Sequence, residues 1–144
     1  MESIIEVALP PEEVFAYATD PQRFGEWQGD VVSVSTDGDA PLPVGARFTT
    51  TRRIRGTDRA MTQEVTESSP PYSWAARGTD GPIRPTARLT VEPGPGGAGS
   101  RITFDLDFEG HGIGIALLPL VRRQAERSAP ISFRKFKELL EARG

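Results

Sequence analysis

Between Phe48 and Glu109 inward-phase side chains return at every second position, and between Leu118 and Leu140 apolar ones return at every third or fourth. That one change of period restricts the chain to a set of strands followed by a single amphipathic helix. Phe48, Thr50, Arg52 and Ile54 alternate with Thr49, Thr51, Arg53 and Arg55; Met61, Gln63 and Val65 share a face, as do Tyr72, Trp74 and Ala76, and then Ala87, Leu89 and Val91. Ile102, Phe104, Leu106 and Phe108 oppose Thr103, Asp105, Asp107 and Glu109, the cleanest alternation in the chain. Val32 and Val34, spaced by serine, predict a further strand before these, and clusters of Gly, Pro, Asp and Ser separate the runs as turns. Consecutive strands joined by short turns pair antiparallel, with one face toward the core and one toward water.

The inner face needs a cover, and the C-terminal segment supplies it. Leu118, Val121, Ala125, Ala129, Phe133, Phe136 and Leu140 lie on one side of a helix over 117–142, with Arg122, Arg123, Glu126, Arg127, Lys137 and Glu141 opposite. Such a helix spans about 39 Å, enough to cross the whole sheet. At the other end, Ile4 to Leu9 reads as a strand stopped by Pro10-Pro11, and Val14, Phe15 and Ala18 mark a short helix to about Thr19 behind Pro11, Glu12 and Glu13. Asp20 caps a second helical piece ending at Trp27 and Gly29. The order is strand, two short helices, six strands, long helix: an α+β domain over residues 1–144 without repeat or linker.

At 144 residues, with hydrophobic residues at 37% and charged residues at 26%, the chain is long enough to bury a core. With no cysteine, disulfides, thiolate nucleophiles and sulfur-ligated metals are excluded. A net charge of -3 with interspersed signs argues against nucleic acid as a partner. No window approaches the ~20 apolar residues that span a bilayer, so stable membrane insertion is not expected and the chain reads as cytoplasmic.

The middle of the long helix carries the most information about function. Ala125, Ser128, Ala129 and Ser132 are small, whereas Leu118 and Val121 anchor one end and Phe133, Phe136 and Leu140 the other. Against a curved sheet, small side chains leave volume that Phe104, Trp74 and Met61 either fill or line as a pocket. Pro130 removes the backbone bond to Glu126, which predicts a kink. Arg52 and Gln63 fall on the inward phase, where they either orient a ligand by hydrogen bonding or reach solvent at the rim. Trp27 is placed either in the core or at the cavity mouth. His111, the lone histidine, sits between glycines in the loop before the helix and reads as a surface residue. Asp105, Asp107 and Glu109 are water-facing, not metal ligands, and the Gly94–Gly99 run precedes a strand, so it is a hairpin loop and no phosphate cradle. Arg53 and Arg55 are expected outward together as a solvated face.

Pro10-Pro11-Glu12-Glu13-Val14-Phe15-Ala16-Tyr17-Ala18-Thr19-Asp20, then Trp27, then Val44-Gly45-Ala46-Arg47-Phe48, and later Pro119-Leu120-Val121-Arg122-Arg123, resemble the corresponding stretches of polyketide cyclase/dehydrase and lipid-transport proteins. These belong to the START and birch-pollen-allergen superfamily. The resemblance implies a helix-grip fold, in which a seven-stranded curved antiparallel sheet wraps the C-terminal helix around an apolar cavity. Candidate ligand contacts are then Trp27; Phe48, Thr50 and Arg52; Met61, Gln63 and Val65; Trp74 and Ala76; Ala87 and Leu89; Phe104, Leu106 and Phe108; and Ala125, Ala129, Ser132 and Phe133. No catalytic residue, metal or cofactor is assigned.

Three functions fit these features: a binding or transport protein for a lipid, quinone or polyketide-like molecule; a cyclase or aromatase, with Arg52, Gln63, Tyr72 or His111 acting on protons; and an interaction module with a filled core. The fold alone does not choose between them. The expected partner is a hydrophobic small molecule, and the expected state a monomer or weak homodimer.

Overall fold

The computed structural model describes residues 1–143. The chain runs β1 (Glu2–Val7), α1 (Pro11–Ala18), one turn of 3-10 helix (Pro21–Arg23), α2 (Phe24–Trp27), β2 (Val31–Thr36), β3 (Arg47–Ile54), β4 (Thr57–Ser69), β5 (Ser73–Gly78), β6 (Ile83–Pro93), β7 (Ser100–Gly110) and α3 (Gly114–Glu141). The seven strands form one sheet in the order β1-β7-β6-β5-β4-β3-β2, every neighbour antiparallel. Strands β2 to β7 are a meander of hairpins. β1 stands at the far edge beside β7, so α1 and α2 carry the chain from one edge of the sheet to the other. The result is the helix-grip architecture: a curled sheet closed by α3.

Local chemistry sets the elements. Pro11 opens α1 and Glu12 and Glu13 occupy its first turn, where negative charge complements the exposed N–H groups. Asp20 Oδ1 accepts the Gln22 N–H at 3.1 Å and so caps the 3-10 turn. Arg55 and Gly56, at φ 52° and 77°, form the two-residue turn between β3 and β4, closed by the pair Ile54 and Thr57. Two successive positive φ values are the type I′ geometry that matches strand twist.

Several expectations are corrected. Val32 is 48% exposed, because a bulge between Val31 and Ser33 shifts the register of β2 and turns Val31 inward with Val34. Tyr72 is 64% exposed, since it closes the Ser69–Tyr72 turn before β5 begins. Arg55 belongs to a turn and not to the outward face of β3. The first strand starts at Glu2 and ends at Val7, two residues short of Leu9. α3 begins at Gly114, three residues earlier than residue 117, and runs to Glu141 with Pro119 and Pro130 inside it. Gly114 can start the helix there because it packs on the Pro82 carbonyl, where a Cβ has no room.

The core has two parts. The larger joins Val7, Val14, Phe15, Phe48, Val65, Trp74, Ile102, Phe136 and Leu140, among others. The smaller joins Ile54, Met61, Ile83 and Val121, with Phe108, Leu117 and Leu118 packed against it. They lie under opposite ends of α3, whose 28 residues span about 42 Å.

Candidate ligand cavity

Between the two clusters α3 presents Ala125, Ser128, Ala129 and Ser132 to the sheet, and an apolar-walled cavity of about 140 Å³ lies beneath them. The strands bring Phe48, Met61, Trp74, Leu89, Ala87, Phe104, Leu106 and Phe108 to its wall, and α2 contributes Trp27. Phe133 closes the helix side. An aromatic cluster borders the space: Phe104 and Phe133 stack with centroids 4.4 Å apart, and Trp27 lies 5.9 Å from Phe104 and 4.9 Å from Phe136. The indole N–H of Trp27 finds no acceptor among the described residues.

Polar groups gather at one side. Arg52 is inward on β3 and 22% exposed; its guanidinium donates to Asp30 Oδ1 at 2.9 Å and to Gln28 Oε1 at 2.6 Å. Opposite, Gln124 of α3 donates through Nε2 to the Arg53 carbonyl at 3.0 Å, tying helix to sheet beside the same rim. Gln63 is 5% exposed and lines the wall between Phe48 and Met61 on the paired strands.

Thus Trp27, Phe48, Arg52, Met61, Gln63, Trp74, Ala87, Leu89, Phe104, Leu106, Phe108, Ala125, Ala129, Ser132 and Phe133 come together around one space. Thr50, Val65 and Ala76 face inward as their phase requires but do not line it. Val65 and Ala76 pair across β4 and β5 within the larger cluster, and Gly45 and Ala46 extend the sheet beside β4 there: Gly45 donates to the Val65 carbonyl and Val65 to that of Ala46. Thr50 is fully buried with its hydroxyl unpartnered among the described residues. His111 and Tyr72 are exposed and away from the cavity.

Reasoning from sequence missed Gln28 and Asp30 as partners of Arg52, and Phe24, Ile54, Pro85 and Gln124 as lining. Phe24 carried a signal in its spacing three before Trp27; the partners of Arg52, 22 and 24 residues away, carried none. Among the described residues no three His, Cys, Asp or Glu side chains are grouped to hold a metal ion, and no helix is long and apolar enough to cross a membrane.

A curled antiparallel sheet gripping a long C-terminal helix over a cavity is the helix-grip class of protein. The chain belongs to the family described as polyketide cyclase / dehydrase and lipid transport, whose model matches residues 1–141. Among solved structures it is similar to a protein from Thermus thermophilus (17% identity, covering 100% of this chain and 98% of that one, TM-score 0.78). A START superfamily protein from Mycobacterium smegmatis gives 15% identity, coverage of 100% and 98%, and TM-score 0.74. The di-domain ARO/CYC BexL from the BE-7585A biosynthetic pathway gives 15% identity over 96% of this chain and 45% of that one, with TM-score 0.67. At these identities the likeness is one of fold. No curated protein matches the sequence significantly.

Proposed function

We propose that this chain binds a hydrophobic small molecule in the cavity between sheet and α3, as a carrier or receptor and not through a catalytic constellation. The observation that carries the reading is the apolar-walled space under Ala125–Ser132, open at one rim. Interiors ordinarily pack to crystal density, so a gap of this size ringed by apolar side chains is a binding feature in its own right. Arg52, held by Asp30 and Gln28 at the rim, orients a polar end of the ligand.

The test is extraction of protein purified without detergent, read by mass spectrometry, together with binding of small apolar probes to Ala125→Phe. The substitution should abolish probe binding and leave stability nearly unchanged, because the ring enters free volume. In a filled core the same ring overpacks at a cost of about 1–3 kcal/mol. That cost, with no co-extracted molecule and no probe bound by the parent, defeats the reading.

A cyclase-type activity is the second reading, favoured by the fixed guanidinium of Arg52 at the cavity wall and by the family description. There the cavity folds a reactive chain and proximity supplies much of the rate. Replacing Arg52 and Gln63 by apolar residues separates the two: turnover of a polyketide-like substrate falls by orders of magnitude if they act on the reaction, whereas binding changes modestly if they only orient.

A further inference from the structure

A second concavity, an open groove of about 450 Å³, runs outside the cavity between edge strand β1 and the middle of α3, against Met1, Ser3, Ile4, Ile5, Glu126 and Pro130. It shares two residues with the inner cavity, Ala129 and Phe133. Ala129 offers one methyl group, so the ring of Phe133 is the bulk of the partition. That ring is clamped: it stacks on Phe104 at 22° between planes and sits 6.0 Å from Trp27. Phe104 pairs with Ser3 of β1, which places the partition directly behind the edge strand.

We propose that Phe133 sets the length of ligand the protein accepts, restricting it to a compact one-ring molecule or an aliphatic group of similar bulk. This deepens the reading of the inner space as a container and rests on it. Volume is the reason. The inner cavity, about 140 Å³, is of the size that accepts benzene (about 150 Å³ in an engineered case) and lies below the ~300–1,000 Å³ of ordinary small-molecule pockets. A long alkyl chain exceeds this volume, and the apolar space that takes the excess lies past the Phe133 ring in the outer groove. The groove is apolar enough to receive it, since Met1 and Ile5 line it.

Calorimetric titration of the full chain with p-cresol and with hexadecanoate tests this. The parent should bind p-cresol and take up hexadecanoate weakly. Phe133→Ala should tighten hexadecanoate by about tenfold or more, and the ratio of hexadecanoate to p-cresol affinity should rise by at least as much. Adding Ser3→Trp to Phe133→Ala, which fills the groove from the inward phase of β1, should remove the gain. Phe133→Leu keeps apolar bulk for the fold and should show a smaller gain in the same direction; melting curves establish that each variant is folded. A parent that binds hexadecanoate as tightly as Phe133→Ala, or a folded Phe133→Leu with no gain, overturns the proposal and leaves the container reading standing. Failure of the parent and every variant to bind either probe removes the container reading itself, and the length limit with it.

Discussion

Arg52 on β3 and Asp30 in the loop after α2 meet at 2.9 Å, 22% and 19% exposed, and this contact spans 22 residues of sequence to fix the rim of the cavity. The pair is largely withdrawn from water, so each partner replaces lost solvent with the other, and Arg52 also with Gln28 Oε1. Removing one leaves the remaining charge poorly solvated. Asp30→Ala should therefore lower stability by about 1.5–3 kcal/mol, seen as a shift in urea midpoint without a change in slope. Arg52→Met added to Asp30→Ala should recover part of that loss, because the orphaned guanidinium is gone. Strict additivity of the two changes counts against the coupling.

Tyr17 is 3% exposed, packs 5.6 Å from Phe136 and donates its hydroxyl to Glu26 Oε1 at 3.0 Å. Burial, and next the hydrogen bond to the Glu26 carboxylate, raise its pKa from 10.0 to about 12. Folding thus favours the protonated phenol. The stabilisation is complete below the unfolded value of 10.0 and is lost as pH rises through about 12. Unfolding free energies measured across that window should fall for the parent and fall less for Tyr17→Phe; parallel curves would contradict the assignment.

Gly114 starts α3 against the Pro82 carbonyl. Alanine is intrinsically better in a helix by about 1 kcal/mol. Here the added methyl overlaps backbone that β6 holds in place, with His111 N–H donating to the same Pro82 carbonyl at 2.8 Å. Gly114→Ala should destabilise by about 1–3 kcal/mol in thermal or chemical unfolding. A gain in stability would show that the β5–β6 turn yields freely.

The strands were legible because each buries one face, and the burial of Phe48, Met61, Val65, Trp74, Leu89 and Ile102 follows their phase. Phase says which way a side chain points but not how far along the sheet it lies. Val65 and Ala76 point inward like Met61 and Trp74, yet they pack within the larger core cluster and do not line the cavity. Val32 failed for a different reason, a single bulge that no residue type announces. The start of α3 was hidden because Gly112-Ile113-Gly114 reads as loop, and only the nearness of Pro82 makes glycine the right residue for a helix there. Small residues at 125–132 pointed to the cavity from sequence, whereas the Asp30 and Gln28 partners of Arg52 came from pairing across the fold.

The division of the core into two clusters makes α3 mechanically a beam on two piers. Val121 and Leu118 rest on one, Phe136 and Leu140 on the other, and between Gln124, bonded to the Arg53 carbonyl, and Phe133, stacked on Phe104, the helix turns only small side chains to the cavity. Pro130, lacking an N–H, removes one backbone hydrogen bond within that span. Compliance is therefore concentrated over the cavity, and the helix can bow there by small amounts while both piers keep their packing.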